Sequence, residues 1–216
     1  MSAMSASPRA EGAIARDGEP LVLVAEITHR VVNEYTHAIA VLNRAAAHAS
    51  DPGSRTSLSD AADRLRAYAE AHRTLRAPLA RGPMDLGNYL ESICRALSAA
   101  SLADHHVRLS LSREPVVLET ERGWRVGLIV AELINNAVRH AFGVRGGLVR
   151  VEVCARRSVV LCRVSDDGGS DVPARPGRGS AVIEGLAAEL GGQVEWRFGR
   201  SGATALLTFP LASPRG

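Results

Sequence analysis

His29 lies in the stretch AEITHRVVNEY, residues 25–35, where apolar residues recur with helical spacing. It follows Thr28, a residue of the apolar face, by one position, so on a helix its imidazole lies at the flank and is reachable from solvent. A neutral imidazole has a reference pKa of ~6.5 and can act as a nucleophile or base near neutral pH. A lone helical histidine is more often inert, so its role depends on the rest of the chain.

A polar cluster interrupts the otherwise apolar stretch AELINNAVRHA, residues 131–141. Glu132, Asn136 and His140 are spaced four apart and therefore share one helix face. Carboxylate and amide oxygens suit Mg²⁺, and the adjacent Arg139 suits a phosphate oxygen. A solvated polar face is the simpler interpretation of a short cluster, but the apolar character of the surrounding helix favours a binding role.

Two glycine-containing stretches follow this helix. The sequence DDGG, which contains Asp166 and Gly168, comes directly after the apolar run VVLCRVS. A carboxylate there can bind a base edge while the glycine backbone passes close to a ligand. Gly177 and Gly179 open the stretch GRGSAVIEGLAAELGG, and free N–H groups at a helix start favour phosphate. Each signal is weak alone, because turns and helix starts also use glycine for steric reasons.

The N-terminal part of the chain predicts a helical hairpin. Apolar or small residues recur in steps of three and four on both sides of the turn ASDPGS, residues 49–54. The two seams consist of Leu21, Val24, Thr28, Val31, Tyr35, Ala38, Leu42, Ala45, Leu58, Ala61, Leu65, Tyr68, His72 and Leu75. Two helices cannot bury seams of this length on each other, so we expect a dimer with a four-helix bundle. A monomeric hairpin packed on the second half of the chain is the alternative.

The remainder of the chain alternates helices and strands. Helical patterns cover residues 86–99, 121–142 and 179–192, and strand patterns cover 106–112, 115–119, 148–155, 158–166, 193–198 and 204–211. The expected fold class is α+β: an N-terminal helical hairpin followed by a two-layer α/β sandwich with a largely antiparallel or mixed sheet. We expect a disordered lead-in over residues 1–18, the hairpin over 19–80 and the sandwich over 84–212.

Composition excludes several classes of protein. The 216 residues are 46% hydrophobic, enough for a sizeable core, and carry a formal net charge of +3 without a Lys/Arg block. With only 4% aromatic residues, nucleic-acid binding is not expected. The three cysteines lack the spacing of a zinc site or a disulfide framework, and no apolar run is long enough to insert in a membrane. We therefore expect a cytoplasmic protein.

Taken together and in this order, the motifs resemble a known family. The ELxxNAxxHA-like helix, the DxG after a strand and the GxG before LAxxLGG are similar to the ATP-binding domain of histidine kinases and their GHKL relatives. EITHRVVNE resembles the phosphoacceptor box of the HWE-like and second HisKA-type sensor histidine kinases. The resemblance covers roughly residues 20 to 211, and four motifs in the family's order are far more specific than any one of them.

The resemblance implies a protein histidine kinase that uses ATP and Mg²⁺ and passes a phosphoryl group to the aspartate of a response-regulator receiver. It assigns His29 as phosphoacceptor, Asn33 as the residue that positions the attacking group or a water, and Glu132 and Asn136 as metal-binding residues. The remaining implied nucleotide contacts are Arg139 and His140 along the phosphates, Asp166 at the adenine amino group, Gly168, Gly177 and Gly179 around the lid, and Thr204 at the adenine end. The residues before Pro20 are too few to fold as a sensor domain, so we expect input from a separate sensor or regulator protein or at the nucleotide domain.

Two alternatives remain open at this stage. The connection GSDVPARP is short for an ATP lid, and a short lid excludes water poorly. A histidine phosphotransfer protein with a degenerate ATP-binding domain, or a receiver phosphatase acting through Asn33, would also keep the hairpin and His29. A serine kinase of the anti-sigma-factor kind shares the ATP domain but has no need of the hairpin. Nucleotide binding distinguishes a kinase from the first two.

Overall fold

The computed structural model describes residues 19–102, 106–142, 146–169 and 178–212. The predicted lead-in over residues 1–18, the residues between Gly169 and Arg178, and the side chain of His29 lie outside the described part. Among the described helices, none is long and apolar enough to cross a membrane.

Two long helices form the predicted hairpin. They are α1 (Glu19–His48) and α2 (Pro52–Thr74), and they pack against each other. Asp51 ends the turn and caps α2, because its carboxylate accepts from the backbone N–H of Ser54 at 2.7 Å and from the Ser54 hydroxyl at 2.9 Å. Pro52 then occupies the first helical turn, where no N–H partner is needed.

The buried positions of the hairpin are shifted from the predicted seam. Val32, Ala46, Ala62 and Ala69 are buried, whereas the neighbouring seam residues Val31, Tyr35, Leu42, Leu58, Leu65 and Tyr68 are half-buried. The α1–α2 contact within one chain therefore covers only part of the seam. Tyr35 stacks on Tyr68 with ring centroids 6.4 Å apart and lies 5.5 Å from His72.

A five-stranded sheet forms the second half. Its strands, in spatial order, are β2 (Val107–Arg113), β4 (Gly147–Arg156), β5 (Val159–Asp166), β7 (Gly202–Pro210) and β6 (Gln193–Gly199). The β2–β4 pair is parallel and the other pairs are antiparallel, as expected for a mixed sheet. Alternate residues of the central strands β4, β5 and β7, such as Val149, Val151 and Val153 on β4, are buried against the helices.

Three helices cover one face of this sheet, which confirms the two-layer sandwich and the α+β class. They are α3 (Leu86–Leu97), which continues into a π-helical turn over Ser98–Leu102, α4 (Thr120–His140) and α5 (Arg178–Glu189). Their buried side chains, including Leu90, Ile129 and Ile183, share one hydrophobic core with the sheet. The paired glycines end α5 as expected, with Gly191 at a φ of 70° that favours glycine.

The predicted boundary segment contains an additional strand. Residues 83–85 form β1 (Pro83–Asp85), which pairs antiparallel with β3 (Val117–Glu119) in a separate two-stranded sheet. A strand this short has no sequence period of its own, and it forms because a partner segment lies beside it. This strand lies where the hairpin predicted for residues 19–80 gives way to the sandwich predicted for residues 84–212.

Candidate functional site

Helix α4 carries the predicted polar cluster next to the start of α5. Glu132, Asn135 and Asn136 are half-buried, whereas Arg139 and His140, at the end of the helix, are exposed. A Cβ added to Gly179 would lie 2.5 Å from Oε1 of Glu132 and 3.5 Å from Nδ2 of Asn136. The absence of a side chain at Gly179 therefore allows the backbone of α5 to approach both predicted metal-binding residues.

The DDGG turn lies at the C-terminal end of α4. A Cβ on Gly168 would lie 2.1 Å from the carbonyl oxygen of Ala141 and 2.6 Å from its Cβ, so the turn packs directly on the residue that follows α4. Glu132 and Ala141 are nine positions apart, about 13.5 Å of helix axis at ~1.5 Å per residue. The second half of α4 therefore extends from the contact with Gly179 to the contact with Gly168.

Asp166 ends β5 on the helix-facing side of the sheet, opposite the buried Val149. Its Oδ1 accepts from the backbone N–H of Gly168 at 3.0 Å and of Ala203 at 3.2 Å. Burial raises the pKa of this carboxyl, and the charge of Asp167 acts in the same direction, while the two backbone N–H groups oppose the rise. The carboxylate is therefore oriented by backbone donors that leave its second oxygen for another partner.

Asp167 holds the turn from the opposite side. Its Oδ1 accepts from the backbone N–H of Leu148 at 2.7 Å, and its own N–H donates to the carbonyl of Leu148 at 3.2 Å. These bonds attach the end of β5 to the start of β4. The sequence places Asp167 in the motif, but only the tertiary structure reveals this anchoring contact.

Ala203 and Gly202 are further contributors that the sequence did not single out. Ala203 donates to Asp166, and a Cβ on Gly202 would lie 1.9 Å from the Asp166 carbonyl oxygen. Gly202 has a φ of 121°, which favours glycine. The glycine of SGATALL, directly before the strand, is the sequence signal for this close approach.

Thr204 lies on the other face of the sheet. It is paired with Ser165 on β5 and with Arg197 on β6, and side chains alternate along a strand, so it points away from the face that carries Asp166. Its neighbour Ala203 occupies the position beside Asp166. The expectation that Thr204 supports a ligand at the adenine end does not fit this geometry.

Three further predicted residues are His29, Asn33 and Gly177. His29 lies within α1, and Asn33 is exposed one turn later on the same helix. Gly177 lies outside the described residues. The structure therefore places Gly179 beside Glu132 and Asn136, and places Gly168 beside Asp166 and the end of α4. The functional roles of these residues, and those of His29, Asn33, Arg139 and His140, stay predictions.

The donor set fits a magnesium ion shared with a phosphate ligand. In the described ranges there is no group of three or more His, Cys, Asp or Glu that could enclose a metal ion. Instead, Oε1 of Glu132 and the amide group of Asn136, through its Nδ2, lie beside one backbone position at Gly179. The same amide carries an oxygen that can bind a metal ion. Mg²⁺ commonly binds through one or two carboxylate or amide oxygens and completes its octahedron with water and substrate phosphates.

Two family models match the chain. A histidine kinase model matches residues 26–101, and a model of the histidine kinase-like ATPase domain matches residues 93–208, more than half of the chain.

Two relatives resemble most of the chain. It is 26% identical over 201 residues to blue-light-activated histidine kinase 2 of Erythrobacter litoralis, a match of 89% of this chain and 58% of that protein. It is 25% identical over 197 residues to sensor histidine kinase PdtaS of Mycobacterium tuberculosis, a match of 87% of this chain and 39% of that protein. The chain thus spans less than two thirds of either relative.

A solved structure has the same fold. The histidine kinase domain of a blue-light activated histidine kinase from Erythrobacter litoralis matches 82% of this chain and 96% of its own, with a TM-score of 0.55 and 24% identity.

Proposed function

Because this chain belongs to the histidine kinase family, with its histidine kinase-like ATPase domain, we propose that it phosphorylates its own His29 from ATP with Mg²⁺. The phosphohistidine then passes the phosphoryl group to an aspartate of a response-regulator receiver. The observation that carries this proposal is the arrangement along the second half of α4. Gly179 lies beside Glu132 and Asn136, and the turn with Asp166 and Gly168 lies beside Ala141, directly after the helix.

The nucleotide would lie along α4. The free oxygen of Asp166 would accept the adenine amino group, and the triphosphate would extend toward Glu132, Asn136 and the start of α5. Gly168 and Gly179 support this placement, because any side chain there would collide with Ala141 or Glu132. Arg139 and His140 are exposed on the same helix between Asn136 and Ala141, and they would contact phosphate oxygens between the adenosine and the Mg²⁺ ion.

Glu132 and Asn136 would hold the Mg²⁺ ion. When bound, this ion would offset the negative charge of the phosphates during phosphoryl transfer. The neutral imidazole of His29 would attack the γ-phosphorus in line. A nitrogen–phosphorus bond forms as the bond from the γ-phosphorus to the bridging oxygen breaks, ADP leaves and the imidazole releases its ring proton. Asn33, one turn after His29, would position the attacking group or a hydrolytic water.

The hairpin supports a homodimer. Its seam residues Val31, Tyr35, Leu42 and Leu58 stay half-buried, and Val41 is 52% exposed on α1. Pairing of two hairpins would bury this surface in a four-helix bundle. The proposal further includes a cytoplasmic location and input from a separate sensor or regulator protein.

The test is incubation of the purified protein with γ-labelled ATP and Mg²⁺, scoring acid-labile, base-stable label on the protein. We expect label on the wild type, none on His29→Ala and at least a tenfold loss on Asn136→Ala. His37→Ala is the matched control, because His37 is exposed on α1 but lies outside the phosphoacceptor motif, and it should retain the label.

An unlabelled wild type that also fails to bind ATP would overturn the kinase proposal. Phosphotransfer from a phosphorylated receiver to His29, or loss of receiver phosphate that depends on Asn33, would then identify the alternative activity. Label that persists in His29→Ala would place the phosphoacceptor elsewhere.

A further inference from the structure

The outer face of the five-stranded sheet carries a row of hydrogen-bond donors across four strands. Arg150 on β4 pairs with Ser165 on β5, Ser165 pairs with Thr204 on β7, and Thr204 pairs with Arg197 on β6. Paired residues project from the same face, so the four side chains form one line on the side opposite the helices. They line one groove together with Glu152, Arg163, Glu195 and Leu206.

The groups of this row have no protein partner within the described ranges. The guanidinium groups of Arg150 and Arg197 make no ion pair or hydrogen bond there, and the hydroxyls of Ser165 and Thr204, both half-buried, make none either. The neighbouring Arg163 differs, because it donates to Glu152 at 3.2 Å. Two cations and two hydroxyls on one line across the sheet, with no acceptor among the described residues, form an environment for an anion.

The spacing of the row fits a phosphate group. Arg150 and Arg197 are three strand spacings apart, ~14 Å at ~4.8 Å per strand, a gap that two extended arginine side chains can close from opposite sides. The Ser165 and Thr204 hydroxyls lie between them. A guanidinium can donate two parallel N–H hydrogen bonds to a phosphate. Each hydroxyl between the two arginines can donate one further O–H hydrogen bond to the phosphate from the sheet surface. We propose that this row, Arg150, Ser165, Thr204 and Arg197, binds a phosphate group on the outer face of the sheet.

The surrounding charges set the position and strength of this site. Arg163 neutralises Glu152, but Glu195 has no ion-pair partner among the described residues and lies two positions before Arg197 on β6. Its carboxylate, ~7 Å along the strand, repels an anion at that end of the groove. We therefore expect modest affinity, a preference for doubly charged phosphate over chloride, and tighter binding when Glu195 is neutralised.

This site is separate from the nucleotide site. Ser165 directly precedes Asp166, and Thr204 directly follows Ala203, but their side chains project from the opposite face of the sheet. The proposal does not depend on the kinase activity. Substitutions on either face can therefore distinguish the two sites.

The first experiment is isothermal titration of the full chain with inorganic pyrophosphate in the absence of Mg²⁺. Pyrophosphate should bind the wild type, and Arg150→Gln combined with Arg197→Gln should weaken binding at least tenfold. Arg108→Gln, an exposed arginine of β2 outside the groove, and Asn136→Ala, which disables the nucleotide site, should leave the affinity unchanged. Glu195→Gln should tighten binding several-fold.

A second arm identifies the source of the phosphate. A phosphoserine-containing peptide titrated beside the unphosphorylated peptide tests a group carried on a polypeptide, and tighter binding than that of pyrophosphate would favour that source. Equal affinity in the wild type and the double arginine variant, or loss of binding in Asn136→Ala, would overturn the proposal. Either result would mean that pyrophosphate occupies the nucleotide site or is an adventitious ion only.

Discussion

Asp166 and Asp167 are neighbours of the same type whose environments give them different roles. Asp166 is half-buried on the helix-facing side and keeps one oxygen for a ligand, whereas Asp167 is exposed and accepts the Leu148 N–H. Opposite directions of consecutive side chains follow from the extended backbone at the end of β5. One aspartate is therefore suited to recognition and the other to anchoring the turn.

Replacement of Asp166 by asparagine should weaken ATP binding without lowering the stability of the protein. An asparagine oxygen can still accept from the backbone N–H groups of Gly168 and Ala203. Its NH₂ group would then face the adenine amino group, and two donors cannot form a hydrogen bond with each other. We expect ATP affinity to fall at least tenfold, consistent with ~1.5–3 kcal/mol for a hydrogen bond to a charged group. The unfolding midpoint should stay equal or rise, because the variant has no charge to desolvate. Titration with ATP and with inosine triphosphate, which lacks the amino group, checks this, and an equal loss for both nucleotides would contradict amino-group recognition.

The raised pKa of Asp166 predicts a pH dependence of ATP binding. Burial favours the protonated carboxyl in the folded protein, so its contribution to stability is largest below the unfolded-state pKa and is lost as pH rises through the folded one. Protonation removes the acceptor for adenine, so ATP affinity should fall on acidification at a higher pH than for an ordinary aspartate. Dissociation constants measured over a descending pH series test this. Asp166→Asn provides the background from all other groups, and an identical pH profile in that variant would refute the assignment.

At the scale of elements, α4 and the turn after β5 are fixed by backbone contact. Gly168 lies directly on the residue that follows α4, and a backbone carbonyl cannot rotate away as a flexible side chain can. The hairpin seam shows a related effect, since burial within one chain shifts by one residue from the predicted positions. Contacts between elements therefore decide which member of a periodic pattern is buried.

Gly168→Ala should disturb both stability and nucleotide binding. The added methyl would overlap the Ala141 carbonyl, and overpacking of this kind costs about 1–3 kcal/mol. We expect a lower free energy of unfolding and weaker ATP binding, measured by denaturant titration and calorimetry. Gly169→Ala is the matched control, because its nearest neighbour, the Arg200 carbonyl oxygen, would be 3.5 Å away. Equal effects of the two substitutions would show that close packing at Gly168 is unimportant.

At the scale of the whole molecule, the end of α2 belongs to the core of the second half. Ala71 is part of that core, and Tyr68 and Leu75 pack against it. The indole N–H of the buried Trp124 donates to the Leu75 carbonyl at 2.9 Å, and the Tyr89 hydroxyl donates to the Thr74 carbonyl at 3.2 Å. Packing of the hairpin on the second half, expected as the alternative to dimerisation, therefore occurs at the C-terminal end of α2.

Trp124→Phe should loosen this junction. The variant loses the hydrogen bond to Leu75 and leaves a carbonyl without its donor, at a cost of about 1–3 kcal/mol. Amide hydrogen exchange over residues 70–76 should become faster, and the free energy of unfolding should fall. Tyr89→Phe, which removes one hydroxyl and keeps the ring, should have the smaller effect. Unchanged exchange in Trp124→Phe would mean that packing alone holds the junction.

The sequence by itself determined the helical hairpin and the alternation of helices and strands, and it singled out Glu132, Asn136, Asp166, Gly168 and Gly179 as candidate site residues. These follow from local spacing, because helical and strand periods are properties of consecutive residues. The tertiary structure decided the β1–β3 pair, the anchoring role of Asp167, the place of Ala203 beside Asp166 and the outward direction of Thr204. Each depends on the partner strand and its register, and a shift of one residue in register exchanges the two faces of a strand.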